Sequence, residues 1–223
     1  MSGDLLGAWR ASPRRSLIFL HGFNGQPDSY DLGPLQTAVG SHHLTRLLGP
    51  IGTGPGRSWW ADTDGPGPSP AALDTAVHAI TAQLEAAAQR GEAAQRGEAA
   101  QLEDAAHPVV LVGFSQGGAA ALAYALAGEH TERRIAAVIC VAGFLPCPVP
   151  GDQTIPPVLF VHPTDDEVVD LFAAERGARL LGQAGATAVV REIDGGHEWS
   201  SRVVPPIVAF LMPDGSGPHP PVL

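Results

Sequence analysis

Three separated stretches carry residue types that together could transfer an acyl group. Gly113-Phe114-Ser115-Gln116-Gly117-Gly118 is a G-x-S-x-G set directly after the apolar run VVLV (109–112) and before a helical segment. That is the context a nucleophile elbow requires. The turn is tight enough that the residues flanking the serine must be small, and glycines stand at 113 and 117. Ser115 would project from the strand end at a helix N-terminus, where developing negative charge is favoured. The plain competing reading is a Gly-rich strand-to-helix turn without chemistry; strand before and helix after argue against it.

A serine hydroxyl is a weak nucleophile unless a base takes its proton. Of nine histidines, His197 stands in Gly195-Gly196-His197-Glu198-Trp199, just after the last strand-like run. Sheets of this kind place their sites at such strand ends. His42, His43 and His219 lie in loops without a partner pattern, and His78 and His107 belong to a long helical region or its end. None of them forms metal-ligand spacing with other His, Cys or carboxylates, so no metal site is expected.

A carboxylate must hold the imidazole in the productive tautomer, and in this arrangement it falls between the serine and the histidine in chain order. The cluster His162-Pro163-Thr164-Asp165-Asp166-Glu167 follows the run VLFV (158–161) directly. Residue type alone does not separate Asp165 from Asp166. An oxyanion site needs two backbone N–H donors, one from the residue after the nucleophile, Gln116. The second is expected from the loop after SLIFL (16–20), His21-Gly22-Phe23-Asn24-Gly25, with Phe23 as the donor. His21 reads as a structural residue that pins the loop.

These residues need a scaffold that gathers strand ends. Ser16–Leu20, Val109–Val112, Ile135–Val141, Val158–Val161 and Ala186–Ile193 read as strands, with Leu44–Leu48 a weaker one. Most are continuous apolar runs, as expected of a parallel sheet covered on both faces. Ser69-Pro70 signals a helix start, followed by an apolar stripe at Leu73, Val77, Ile80 and Leu84. Gly117–Leu126, Leu171–Leu181 and Val203–Leu211 are further helices, the last shortened by Pro205-Pro206. The alternation predicts a mostly parallel, doubly wound α/β sheet flanked by helices, without a large cap.

The 223-residue length suits a single domain over 1–223, with its core over about 16–211 and a loosely ordered tail over 212–223. A formal charge of −10 argues against nucleic acid and anionic membrane surfaces as partners. Two cysteines exclude a disulfide framework, and neither a leader nor an apolar membrane span is recognisable, so a cytoplasmic protein is expected. The hexapeptide QRGEAA repeats in tandem at 89–94 and 95–100 and reads as a surface extension or frayed helix.

LHGFNG (20–25), GFSQGG (113–118), VHPTDDEVV (161–169) and GGHEW (195–199) together resemble the phospholipase/carboxylesterase group of α/β-hydrolases, which includes acyl-protein thioesterases. The likeness runs over roughly 16–211. It implies Ser115 as nucleophile, His197 as base, and Phe23 and Gln116 as oxyanion donors. The family's His-Gly-x-x-Asp-x-x-Val register falls on His162 to Val169 and so selects Asp166, although Pro163-Thr164 departs from it. A weaker match, RSWWAD (57–62), implies Trp59 as an acyl-pocket wall. The implied activity is cofactor-free hydrolysis of a small-molecule ester or thioester, and the resemblance permits a homodimer. A peptidase or lactonase using the same residues, or a non-catalytic hydrolase-fold binding protein, are the competing functions; loss of a triad member would mark the last.

Overall fold

A computed structural model describes residues 4–12, 15–61, 67–94, 107–128, 134–151 and 153–213. In chain order the elements are α1 (Leu5–Ala11), β1 (Arg15–Leu20), α2 (Gly33–Ala38), β2 (Ser41–Leu47), β3 (Ile51–Thr53), β4 (Gly56–Ser58), α3 (Pro70–Ala94), β5 (Val109–Phe114), α4 (Gln116–Leu126), β6 (Ile135–Val141), β7 (Val158–Pro163), α5 (Leu171–Gln183), β8 (Ala188–Ile193) and α6 (Val204–Leu211). The sheet runs β2-β1-β5-β6-β7-β8. All of its pairings are parallel. Among the described residues no helix is long and apolar enough to cross a membrane.

The apolar runs sort by parity, because successive strand side chains point to opposite faces. Ile18, Leu20, Leu111, Val138, Cys140 and Phe160 pack beneath α3, α4 and α5. Leu17, Phe19, Val110, Val112, Ile139 and Val161 face α1, α2 and α6. Both faces are dry, which is why these strands read as unbroken apolar stretches. The α3 stripe behaves as its spacing predicts: Val77, Ile80 and Leu84 are buried and Leu73 packs at the margin. Cys140 is buried in β6, where its sulfur lies against Gly118 of α4 and Gly143, and burial pushes its thiol pKa up.

Elements also lie where no strong pattern marked them. The seven-residue α1 precedes residue 16, yet it supplies Trp9, which is fully buried and donates from Nε1 to Ser16 O at 3.1 Å. Arg10 ties the helix to the end of α6 by donating to Leu211 O at 2.6 Å. The first QRGEAA copy (89–94) continues α3; the second, and the tail from 214 onward, lie outside the described residues.

Chain direction decides where a site can form. From β1 the path turns one way to β2, and later returns to the other side of β1 as β5. The C-terminal ends of β1 and β5 therefore flank the point where the winding reverses, the crevice where open α/β sheets bind ligands. Leu20 is in register with Gly113, so the loops beginning at His21 and Ser115 emerge side by side.

Candidate active site

Ser115 sits between β5 and α4 at φ 53° and ψ −121°, a conformation sparsely used by residues with a Cβ. The turn is held by Ser115 N–H donating to Val141 O at 2.8 Å. Its tightness accounts for the neighbouring glycines. A Cβ at Gly113 would come within 2.3 Å of Gly117 O, and one at Gly117 within 2.2 Å of Leu20 O. Backbone cannot yield by that much, so both positions exclude alanine.

Asp166 and His197 meet because β7 and β8 remain paired beyond their ends. Thr164 N–H donates to Ile193 O at 2.9 Å and Asp165 N–H to Gly195 O at 3.0 Å. Gly195, at φ +127°, takes a turn that an L side chain would resist. His197 then projects toward both partners. Its Nδ1 lies 2.7 Å from Asp166 Oδ2 and its Nε2 2.9 Å from Ser115 Oγ. A carboxylate only accepts, so Nδ1 carries the ring proton and Nε2 accepts from the Ser115 hydroxyl. The imidazole packs at 5.1 Å, ring centroid to ring centroid, on Phe114.

The Asp166 carboxylate is fully buried. Oδ1 accepts the N–H groups of Val168 and Val169, both at 2.9 Å, leaving Oδ2 for the imidazole. Asp165, the other acid left open by residue type, is exposed and joins the turn through its backbone. His162 also shapes this turn, a role that sequence reasoning missed. Fully buried, it donates from Nε2 to Val169 O at 2.8 Å, with Nε2 3.6 Å from Asp166 Oδ2. The available signal was a histidine ending an otherwise apolar strand.

Phe23 and Gln116 can be read by the hydrogen bonds around them. Gly22 N–H donates to Tyr30 Oη at 3.1 Å, Asn24 N–H to Ser58 Oγ at 2.9 Å and Gly25 N–H to Arg57 O at 3.0 Å. Among the described residues the intervening Phe23 N–H has no acceptor. The same holds for Gln116 N–H, in the first turn of α4. Phe23, Ser115 and Gln116 line one cavity of about 1180 Å³. The Gln116 side chain is otherwise engaged: Oε1 accepts Trp59 N–H at 2.8 Å and Nε2 donates to Trp60 O at 3.0 Å.

The structure corrects the expectation for Trp59. Its indole is fully buried and donates from Nε1 to His21 O at 2.8 Å, supporting the Phe23 loop from behind. Trp60 lines the cavity instead. The buried indole N–H needed an acceptor and found one away from the cavity. Asp62, the end of that match, lies outside the described residues.

His21 occupies a structural position. Gly49 N–H donates to its Nε2 at 2.9 Å, so Nδ1–H donates to Gly22 O at 2.7 Å. Burial holds its pKa below the ordinary 6.5, and the Arg57 charge adds to the effect. As pH falls through about 6.5 the unfolded chain takes up this proton before the folded one does. The stabilisation is therefore complete above that pH and declines below it. We expect a lower melting temperature at about pH 5 than at about pH 7.5, with a smaller difference in His21→Gln. Equal pH slopes in the two proteins would assign the acid sensitivity elsewhere.

Six parallel strands wrapped on both faces by helices, with a serine on the sharp turn after β5, define an α/β-hydrolase. A phospholipase/carboxylesterase family model matches residues 74–212, more than half of the chain, and the chain belongs to that family. No curated protein matches it in sequence. Among solved structures, esterase PE8 is 23% identical with a TM-score of 0.68, covering 89% of this chain and 91% of its own. The Bacillus cereus carboxylesterase is 17% identical, TM-score 0.69, covering 91% and 89%. Zea mays acyl-protein thioesterase 2 is 18% identical, TM-score 0.63, covering 91% and 94%. At these identities the structures establish a shared fold.

Proposed function

We propose that this hydrolase cleaves carboxylic esters or thioesters through an acyl-enzyme, with Ser115 as nucleophile, His197 as base and Asp166 as its orienting carboxylate. The observation that carries the reading is the unbroken hydrogen-bond chain Ser115 Oγ–His197 Nε2, His197 Nδ1–Asp166 Oδ2. Its polarity is set, because the carboxylate keeps the proton on Nδ1 and leaves Nε2 basic toward the hydroxyl.

In the proposed cycle Ser115 Oγ attacks the acyl carbon as its proton passes to His197 Nε2. Phe23 and Gln116 N–H donate to the oxyanion, whose charge the N-terminus of α4 also favours. The bond to the alcohol or thiol breaks, and the leaving group takes the proton from Nε2. Water then repeats the sequence, adding to the acyl carbon and releasing the acid. No redox or group-carrying cofactor enters this cycle. The reading includes a reducing cytoplasmic setting, which suits two free thiols, Cys140 and Cys147.

The test is labelling with a fluorophosphonate followed by peptide mapping. We expect one adduct per chain, on Ser115, formed more slowly while an excess of a p-nitrophenyl ester is being turned over. An unlabelled folded protein, or an adduct mapping elsewhere, would remove the reading.

A further inference from the structure

The cavity that begins at Ser115 is lined by one face of α5: Ala173, Arg176, Gly177 and Leu180 recur at helical spacing along it. Opposite stand apolar side chains such as Phe144, Leu145 and Val149. The helix can lie close because residue 177 has no side chain; a Cβ there would come within 3.0 Å of Phe160 Cζ and 3.1 Å of Leu145 Cβ. Arg176 is the one cation among the described lining residues.

Its charge is not spent within the fold. Among the described residues Arg176 has no ion-pair partner and donates no hydrogen bond. Its neighbours three and four positions away on α5 are Phe172, Ala173, Arg179 and Leu180, none of them acidic. The other charged lining residue, Asp170, caps the helix by accepting Phe172 N–H at 2.7 Å. A guanidinium without an internal partner, set on a cavity wall with apolar neighbours, is suited to a carboxylate or phosphate oxygen pair.

We infer that Arg176 selects esters bearing an anionic group some distance from the scissile carbonyl, a specificity that rests on the hydrolase reading above. Ser115 and Arg176 line the same cavity from different elements, the turn before α4 and the helix α5, so the anion is carried elsewhere on the substrate than the carbonyl, and the chain-length series below reads their separation. Because Arg176 is exposed, water screens the pair, and the expected preference is modest, about tenfold in kcat/KM.

Two substrate arms identify which end of the substrate carries the charge. The first uses p-nitrophenyl half-esters of dicarboxylic acids from succinate to sebacate, each against its methyl-capped counterpart. The second uses hexanoyl esters of hydroxy acids against those of the neutral alcohols. The wild-type anionic-to-neutral ratio should reach about ten in one arm at an intermediate chain length. It should fall to about one in Arg176→Gln and below one in Arg176→Glu, which should turn instead toward amine-terminated esters. A ratio near one in both arms at every length, or one that Arg176→Gln leaves unchanged, overturns the inference while hydrolysis of neutral esters preserves the hydrolase reading. No hydrolysis of any ester together with no fluorophosphonate adduct defeats both.

Discussion

Ser115→Ala should lose at least about 10⁴-fold in kcat on a p-nitrophenyl ester while keeping its fold. The hydroxyl makes a single side-chain contact, with His197, and the backbone bond to Val141 O that holds the turn does not involve it. Alanine also retains the Cβ, so the strained φ of 53° is neither relieved nor worsened. The melting temperature should therefore shift little, the loss being of the order of one modest hydrogen bond, about 1 kcal/mol. Residual hydrolysis should come from the N–H donors and binding alone. Activity within tenfold of wild type in the variant would end the proposal.

Asp166→Asn is expected to cost about 10⁴-fold in kcat, for a reason visible in its contacts. Val168 and Val169 N–H already point at Oδ1, so an asparagine would set its carbonyl oxygen there. Its amide nitrogen would then face His197 Nδ1, donor against donor. The ring can satisfy that neighbour only by moving its proton to Nε2, which no longer accepts from Ser115. Asp165→Asn is the control, since that side chain is exposed, and should remain within about twofold of wild type. The opposite pattern, with Asp165→Asn inactive and Asp166→Asn active, would transfer the orienting role to residue 165.

Much of this arrangement was legible in the chain because the constraints are local and severe. G-x-S-x-G after an apolar run is a backbone requirement before it is a chemical one, and Gly113 and Gly117 meet it at 2.3 Å and 2.2 Å. Continuous apolar strands announced a sheet covered on both faces. Less legible was anything decided by which way a loop residue faces. Trp59 and Trp60 are adjacent and chemically identical; only a buried carbonyl at His21 separates them. Residue type left Asp165 and Asp166 equal, and the hydrogen bonds of the turn divide them. His162 and Ser58 act through partners seven and thirty-four residues away, separations that no periodicity encodes. The helices α1 and α2, of seven and six residues, are too short for a moment of hydrophobicity to stand out.

The loop from Gly22 to Gly25 is tethered on three sides: to Tyr30, to Ser58 and Arg57 of the β3–β4 hairpin, and to Trp59 through His21. An amide suspended in such a web has little left to reorganise when a ligand arrives. The ordering entropy of that segment was met when the chain folded, so turnover need not wait on it again. A hydrolase so constituted would respond to a change of acyl chain through fit and desolvation, while its response to charge developing on the carbonyl stayed nearly constant from one substrate to the next.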